Sequence, residues 1–270
     1  MPVLRRLWLI VVVAVTLASC GPLSRPEAQP QPPSAAQPAP SQPEPPTTVA
    51  PAPAQPPISV PDAGLGPGDQ GDQVRALEQR LDALHFYVGQ VDDVFDDDTA
   101  YGVTAFQKVN DLPRTGRATP DVAERLASAQ PPPALVPAGG PGRVEIDLNR
   151  QVLSLYEGDQ LSKVLSVSTG SGERYCSRDG CGTAVTPPGS YRVDYHADGW
   201  VTSPLGRLYN PVYFDPKRGL AIHGFQEVPS DPESHGCVRI AMSAAEWFPD
   251  KAPKGTPVYV SDGQTPLQPS

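Results

Sequence analysis

Two short segments in the C-terminal part of the chain contain the side chains that a nucleophilic acyl transfer requires. The residues at 222–225 are Ile-His-Gly-Phe, and those at 234–239 are Ser-His-Gly-Cys-Val-Arg. A thiol becomes a nucleophile when a nearby base takes its proton. Cys237 is therefore the candidate nucleophile and His223 the candidate base, with His235 as the alternative base because it is close to the thiol in sequence.

The residues around the thiol indicate how such a site would hold negative charge. Backbone N–H groups near Gly236 and Cys237 are candidate donors to an oxyanion, since glycine permits a tight turn and a close approach by a substrate. Arg239 has a planar fork of donors that suits a carboxylate. The Ser234 hydroxyl is expected to form a hydrogen bond within the same loop.

Together, the two segments resemble the signature of the L,D-transpeptidase (YkuD-type) catalytic domain of bacterial cell walls. The resemblance implies a mainly β catalytic fold, a YkuD-like β-sandwich. It also implies that Cys237 is the nucleophile and that His223, oriented by the carbonyl group of Gly224, accepts and returns its proton. His235 would then shape the oxyanion hole, and Arg239 would hold the loop or a carboxylate of the substrate.

The same resemblance implies a reaction in peptidoglycan. Cys237 would attack the peptide bond before the terminal D-alanine of a tetrapeptide stem, release D-alanine and leave a thioester. An amine of a neighbouring stem would resolve the thioester into a 3→3 cross-link, whereas water would make the protein an L,D-carboxypeptidase. The implied partners are stem peptides and glycan, and the resemblance implies no cofactor and no metal.

Two other classes of protein are compatible with these residues. His223, His235 and Cys237 are of types that bind zinc, although their spacing matches no common zinc signature. The chain could also be a wall-binding lipoprotein without catalytic activity, although such a protein has no reason to keep both segments intact. Metal analysis and labelling of the thiol separate these alternatives from the enzyme.

The site lies within residues 143–261, where the hydrophobic pattern has a period of two. Val144 and Ile146 alternate with acidic residues, and further short apolar runs are separated by turn signals. This pattern predicts a mainly β domain, either a sandwich or a partly closed barrel. One short helix is predicted where Ser243 and Glu246 have the spacing of a capping box.

Residues 66–129 have a helical pattern instead. Val74, Leu77 and Leu81 recur at helical spacing, and two later segments continue the pattern. The region resembles the three-helix peptidoglycan-binding module, which implies binding to glycan; a purely structural spacer is the alternative. The aspartate-rich run at 92–98 lacks the spacing of a calcium-binding loop, so a solvated turn is predicted there.

The N-terminal segment predicts export. Residues 1–19 combine two arginines, an apolar run and small residues, and Leu-Ala-Ser-Cys ending at Cys20 resembles a bacterial lipobox. We therefore predict a lipoprotein signal peptide and an extracytoplasmic protein, anchored to the membrane by a lipid on Cys20 and facing the wall. The alternative is an ordinary signal peptide with a chance cysteine. The proline-rich residues 20–65 are predicted to be a disordered linker.

The net charge and the positions of the cysteines limit the functions and pairings that the chain can have. The net charge is −9, and a nucleic-acid partner is not expected because such proteins present a basic face. Residues 130–142, rich in proline and glycine, are predicted to be a second linker, and residues 262–270 a disordered tail. Cys176 and Cys181 flank a short loop, which in an exported protein favours a disulfide and leaves Cys237 as the free thiol.

Overall fold

The computed structural model describes residues 58–177 and 180–268. The predicted signal peptide, the lipidation site Cys20 and most of the proline-rich linker lie outside the described residues. The described residues belong to one compact unit. Among them, no helix combines the length and the apolar character that crossing a membrane requires.

The N-terminal part of this unit is the predicted three-helix domain. Its helices are α1 (Asp72–Ala83), α2 (Asp97–Val109) and α3 (Pro120–Ser128). The apolar residues at helical spacing are buried, and they form one core: Val74, Leu77, Leu81, Val103, Phe106, Val122 and Leu126. The helical prediction for this region is therefore confirmed, because the apolar stripes of the three helices face one another.

The aspartate-rich run before α2 orders the turn between the first two helices. Asp96 caps α2, since its Oδ1 accepts a hydrogen bond from the backbone N–H of Thr99 at 2.9 Å. Buried Glu78 in α1 accepts bonds from the Thr99 hydroxyl at 2.6 Å and from the backbone N–H of Asp92 at 2.9 Å. The turn is thus fixed by carboxylates that accept hydrogen bonds from backbone and hydroxyl groups.

Twelve short strands and one helix follow. The strands are β1 (Arg143–Asp147), β2 (Val152–Glu157), β3 (Gln160–Ser166), β4 (Arg174–Ser177), β5 (Gly180–Thr183), β6 (Gly189–Arg192), β7 (Tyr195–His196), β8 (Trp200–Ser203), β9 (Gly206–Asp215), β10 (Leu220–Phe225), β11 (Val238–Ala241) and β12 (Pro257–Ser261). One sheet has the order β3-β2-β1-β12-β6, the second has the order β11-β10-β9-β7 with β8 also paired to β9, and β4 pairs with β5.

The two five-stranded sheets enclose a common core. Ile146 and Leu153 of the first sheet pack in one cluster with Ile222 and Ile240 of the second and with Phe248 of helix α4 (Met242–Lys251). Alternating side chains of strands on both sides of a core are what a period of two produces. The prediction of a mainly β sandwich is confirmed.

The capping box predicted at the start of α4 is wrong. The residue before the helix is Ala241, and no side chain caps this end. The Ser243 hydroxyl instead donates a hydrogen bond to Oδ1 of Asp98 in α2 at 2.6 Å. A local sequence signal was overridden here by a partner from the helical domain.

Three stretches that were predicted to be linkers or a tail contain ordered residues. Leu65 is buried in the core of the helical domain and exchanges backbone hydrogen bonds with Ala118. The N–H of Leu135 donates to a carboxylate oxygen of Glu145 in β1 at 2.7 Å, so the segment 130–142 is attached to the β domain. Near the C-terminus, the N–H of Gln268 donates to the Ser190 hydroxyl at 3.1 Å.

The helical domain covers the edge of the first sheet. Val164 in the edge strand β3 accepts a backbone hydrogen bond from Tyr87 at 2.9 Å and donates one to His85 at 2.7 Å. Val164 and Val152 also pack within the helical core. Because an uncovered edge strand exposes unpaired backbone groups, the helical domain protects the sheet from pairing with other chains.

A buried lysine joins the two domains. Lys108 of α2 is 1% exposed, and its Nζ donates to the carbonyl groups of Gln151 at 3.1 Å and Val167 at 2.9 Å and to the Ser166 hydroxyl at 2.8 Å. These acceptors match the three N–H groups of an ammonium. Burial, reinforced by the nearby Arg114, nevertheless lowers the pKa of Lys108 to about 7.

Candidate active site

Two neighbouring parallel strands bring the two predicted segments together. His223 lies in β10, and Cys237 immediately precedes β11. The strands are paired so that Ile222 is opposite Val238 and His223 is opposite Arg239. The residues that the sequence separates by a loop of about ten residues therefore lie side by side, and both line one cleft of about 700 Å³.

The geometry of His223 defines which of its ring nitrogens can accept a proton. The ring is 4% exposed, and Nδ1 is 2.9 Å from the carbonyl oxygen of Gly224. Since a carbonyl group only accepts, Nδ1 holds the hydrogen in the neutral ring, and Nε2 has the free lone pair. Burial lowers the pKa of His223 to about 4, the bond to Gly224 opposes this shift, and the charge of Arg239 adds to it.

The Cys237 thiol is half-buried beside the first residues of β10. Its Sγ is 3.5 Å from the carbonyl oxygen of Gly219, which can accept the S–H hydrogen. Burial raises the pKa of Cys237, while the N–H of Ala221 and the charge of Arg239 partly offset the increase. At neutral pH the site therefore contains a neutral thiol and a neutral imidazole.

The turn before the thiol is fixed by its own serine. The Ser234 hydroxyl donates to the carbonyl group of Cys237 and accepts from the N–H of Gly236 at 3.0 Å. The expectation of a hydrogen bond from Ser234 within the loop matches this geometry. The expectation that the Gly236 N–H serves as a free oxyanion donor does not, because Ser234 already occupies this group.

Glycine at 236 is required by both conformation and space. Its φ is 137°, in the region that residues with a side chain rarely adopt. An added Cβ would lie 2.8 Å from the carbonyl oxygen of Val185. This position therefore brings the nucleophile's backbone close to the neighbouring segment.

Thr186 stabilises this turn through two hydrogen bonds of its hydroxyl group. The sequence did not identify this residue as part of the site. Its hydroxyl donates to the carbonyl group of Gly236 at 2.6 Å and accepts from the N–H of Gly170 at 2.9 Å. The Thr-Pro-Pro-Gly run indicated only a turn at this point. Nothing local marks a threonine whose partner is 50 residues away.

His235 lies on the wall of the cleft. Its ring is exposed and makes an edge-to-face contact with Tyr175, with the ring centroids 4.8 Å apart. Tyr175 belongs to the β4–β5 hairpin, whose strands are joined by a disulfide between Cys176 and Cys181. The hairpin therefore places an aromatic side chain against His235.

Arg239 lies beside both candidate catalytic residues. Its guanidinium is 4.3 Å above the ring of Phe225, and its side chain lines the cleft. No three or more His, Cys, Asp or Glu side chains in the described ranges are grouped closely enough to hold a metal ion. The arrangement of His223, Cys237 and Arg239 suits acyl transfer through a thioester.

The loop that joins β10 to the motif is held by the helical domain. Arg114, which follows α2, donates to the carbonyl group of Ser230 at 3.3 Å and to Oδ1 of Asp231 at 3.2 Å. The N–H of Val228 donates to the Tyr101 hydroxyl at 3.2 Å. The helical domain thus supports the chain that leads directly to Ser234, a link that local sequence patterns did not indicate.

Comparisons with known proteins agree with this architecture. Residues 141–260 match the family described as the L,D-transpeptidase catalytic domain, and residues 70–126 match the putative peptidoglycan binding domain. The comparison with curated proteins gave no match.

Two solved structures illustrate the similarity. An L,D-transpeptidase of Xylanimonas cellulosilytica, solved for its residues 123–326, is 33% identical with a TM-score of 0.68, and the match covers 77% of this chain and 100% of that one. An L,D-transpeptidase of Stackebrandtia nassauensis is 22% identical with a TM-score of 0.44, over 75% of this chain and 97% of that one. Of these two structures, the first is similar enough in sequence and fold to show the family. At that identity and coverage, and with both domains matched, the chain belongs to the L,D-transpeptidases, cell-wall enzymes, and has a peptidoglycan-binding domain before its catalytic domain.

Proposed function

We propose that this transpeptidase forms 3→3 cross-links through a thioester on Cys237, with release of D-alanine from a tetrapeptide donor. The observation that supports the proposal most directly is the bond from Nδ1 of His223 to the carbonyl oxygen of Gly224. It leaves Nε2 as a proton acceptor in the same cleft as the thiol. A base with a fixed tautomer is what a neutral thiol needs in order to attack.

The proposed first half-reaction begins from uncharged partners. The Cys237 thiol gives its proton to Nε2 of His223 as sulfur attacks the carbonyl carbon before the terminal D-alanine. The C–N bond then breaks, His223 returns the proton to the departing amine, and D-alanine leaves with a thioester remaining on the enzyme. The low pKa of His223 makes its imidazolium a stronger acid than an ordinary imidazolium, which favours protonation of the leaving amine.

The proposed second half-reaction reverses the roles. An amine of a neighbouring stem attacks the thioester carbonyl, His223 takes the proton of that amine, and sulfur departs and recovers a proton. We assign oxyanion stabilisation to the backbone N–H of Cys237 with His235 at the side of the cleft, because the Gly236 N–H is engaged by Ser234. Arg239 is proposed to hold the terminal carboxylate of the donor.

Membrane attachment is a separate proposal that rests on sequence alone. We propose that Cys20 is lipidated and anchors the enzyme outside the cytoplasm, because the residues before it resemble a lipobox. Substituting Cys20→Ala should move the protein from the membrane fraction to the soluble exported fraction. Retention of the variant in the membrane fraction would contradict lipidation as the anchor.

The reaction is tested with disaccharide-tetrapeptide muropeptides and the chain from residue 21 onward. Mass spectrometry should detect 3→3 dimers and free D-alanine with the native protein and neither with Cys237→Ala. A His223→Ala variant should lose most activity, whereas His235→Ala should retain more, which separates the two candidate bases. Release of D-alanine without dimers would identify an L,D-carboxypeptidase. The absence of any reaction that depends on Cys237 would contradict the proposal.

A further inference from the structure

A row of four residues crosses four neighbouring strands of the second sheet and begins at the candidate nucleophile. The N–H of Ala221 in β10 contacts the Cys237 thiol just before β11. Ala221 is opposite Tyr213 of β9, and Tyr213 is opposite Tyr195 of β7. Residues that are directly opposite one another share a face of a sheet. Because Cys237 and Tyr213 both line the cleft, the row lies on the face where the cleft opens.

The far end of the row is an exposed aromatic surface. The rings of Tyr195 and Tyr213 are stacked, with centroids 4.6 Å apart and an angle of 23° between their planes. Tyr195 is 46% exposed. Burial raises the pKa of Tyr213, and the charges of ionised Tyr195 and Cys237 add to the increase, so the Tyr213 hydroxyl is within electrostatic range of the sulfur. The aromatic surface is therefore continuous with the reactive part of the cleft.

The length of the row matches the length of a donor stem. The strand order β11-β10-β9-β7 makes three steps, and at about 4.8 Å a step they place Tyr195 about 14 Å from Cys237. In the proposed reaction, the carbonyl group that Cys237 attacks belongs to the third residue of the stem. Three extended residues span about 10 Å, and the lactyl group that joins the stem to its sugar adds to this reach. A stem that lies along the row therefore brings its first sugar to the two tyrosines.

The two rings have the chemistry that a sugar requires. One face of a pyranose ring consists of C–H groups that pack against an aromatic ring, and the hydroxyl and acetamido groups at its edge form hydrogen bonds. A tyrosine offers both a flat apolar ring and a hydroxyl. A cross-strand aromatic pair also stabilises a sheet, but that role does not require an exposed ring at the end of a row that begins at the nucleophile.

We infer that Tyr195 and Tyr213 form a sugar subsite for the N-acetylmuramyl residue of the donor, so that the enzyme prefers stems attached to their disaccharide over free stem peptides. The inference rests on the proposed function, since it takes the donor to be a stem peptide that Cys237 attacks. The glycan then lies over β7 and β9, while the reacting end of the stem lies over β10 and β11. Because neither the sugar nor the tyrosines are charged at neutral pH, the preference should vary little with salt.

The test compares a disaccharide-tetrapeptide with a tetrapeptide that keeps the lactyl group but lacks both sugars, so that neither ligand has an N-terminal ammonium. Their dissociation constants are measured with the full exported chain bearing Cys237→Ala, so that binding is read without turnover. The disaccharide-tetrapeptide should bind about fivefold more tightly, the scale of one stacking contact with an aromatic ring. Adding Tyr195→Ala should bring the ratio of the two constants close to one, whereas adding Tyr195→Phe, which keeps the ring, should preserve it.

The matched control is Trp200→Ala, which removes an aromatic side chain of similar exposure, 41%, from β8 in the same sheet. Trp200 packs against Tyr209, with centroids 5.1 Å apart, and is not among the described residues that line the cleft. This variant should leave the ratio unchanged.

Four results would overturn the inference: equal binding of the two ligands by the chain that bears only Cys237→Ala, binding of neither, a preference that survives Tyr195→Ala, or its loss in Tyr195→Phe. Turnover of both ligands by the enzyme with Cys237 intact is measured separately. Cross-linking of both with equal efficiency would leave the proposed reaction in place and remove the sugar subsite.

Discussion

At neutral pH, His223 and Cys237 are both held in their uncharged forms. Burial lowers the pKa of the imidazole to about 4 and raises that of the thiol, so an ion pair between them is disfavoured before substrate binds. Many cysteine enzymes instead keep a thiolate with a low pKa. Here, the proton is expected to move as the sulfur–carbon bond forms, so reactivity depends on a bound substrate.

This arrangement predicts the pH dependence of the thiol. Alkylation of Cys237 by iodoacetamide should be slow at pH 7 and should accelerate with pH to beyond about 9, because only the thiolate reacts. The acid limb of kcat/KM should lie well below pH 6.5, near the lowered pKa of His223, because the ring remains a base down to that pH. Both profiles are measured on the same preparation. An alkylation rate that is already maximal between pH 6 and 8 would indicate a thiolate–imidazolium pair instead.

Gly236 gives a second prediction about a single residue. Gly236→Ala should lower kcat/KM by at least tenfold, because the new Cβ collides with the carbonyl oxygen of Val185 and displaces the backbone next to Cys237. Thermal unfolding and kinetics are measured together.

The control is Gly158→Ala, in the turn between β2 and β3. This glycine also has a positive φ, 57°, but an added Cβ would meet no atom within 4 Å. It should lose about 1–2 kcal/mol of stability from the backbone strain alone and keep its activity. Equal activity in the two variants would show that the space beside Gly236 does not matter.

Among the secondary-structure elements outside the β domain, α2 supports the catalytic loop most directly. It begins at the aspartate cap and contains Lys108, and the residues after it include Arg114. Tyr101 in the same helix accepts a bond from Val228 of the loop before Ser234. A helix assigned to wall binding by its sequence is therefore also part of the support of the catalytic loop.

This support predicts an effect of Arg114→Gln. Amide hydrogen exchange in residues 226–234 should become faster, and kcat/KM should fall about fivefold, the scale of a partly exposed ion pair with its hydrogen bonds. Arg125→Gln is the control, because the one hydrogen bond that Arg125 forms with a side chain in the described ranges is to Asn110, inside the helical domain. Unchanged exchange in the loop of the Arg114 variant would count against support by α2.

The sequence predicted local features well and distant partnerships poorly. His223, Cys237 and the alternating strands could be recognised because their signals lie within a few consecutive residues. Lys108 and its acceptor Ser166 are 58 positions apart, and Arg114 and Asp231 are 117 apart. Such pairings depend on how two domains dock, which residue periodicity does not describe. The false capping box at Ser243 has the same cause, since its hydroxyl bonds to Asp98 across the domain boundary.

At the scale of the whole molecule, the helical and β domains share one hydrophobic cluster. Val152 and Val164 belong to the β domain but pack in the helical core, and Lys108 fills the boundary between them. Removing residues 66–129 would therefore expose apolar side chains and a strand edge. The two domains are expected to unfold in one cooperative transition.

Lys108 predicts how that transition varies with pH. Its pKa is about 7 in the folded protein and near 10.5 when exposed, so the unfolded chain binds more protons between these values. The contribution of Lys108 to the free energy of unfolding should therefore rise by about 3 kcal/mol from pH 7 to pH 10. It is read as the difference between the native chain and Lys108→Met in urea unfolding at each pH.

The control is Lys163→Met. It removes a lysine at the same boundary that pairs with Asp82 but has a side chain that is 33% exposed. The difference between this variant and the native chain should vary little over the same range, because contact with solvent lets the ammonium stay hydrated. A difference for Lys108→Met that stays constant with pH would show that the ammonium remains charged within the fold.

The disulfide of the β4–β5 hairpin has a practical consequence for handling the enzyme. Cys181 and Cys237 line the same cleft, and both cysteines of the disulfide are exposed. A buffer with dithiothreitol protects the nucleophile from oxidation but also opens the bond that closes the hairpin bearing Tyr175. A buffer without reductant preserves the hairpin and leaves the nucleophile open to sulfenic acid formation. Preparations stored in the two buffers would be two chemically different enzymes. Specific activities are therefore comparable only when the oxidation states of Cys176, Cys181 and Cys237 are stated.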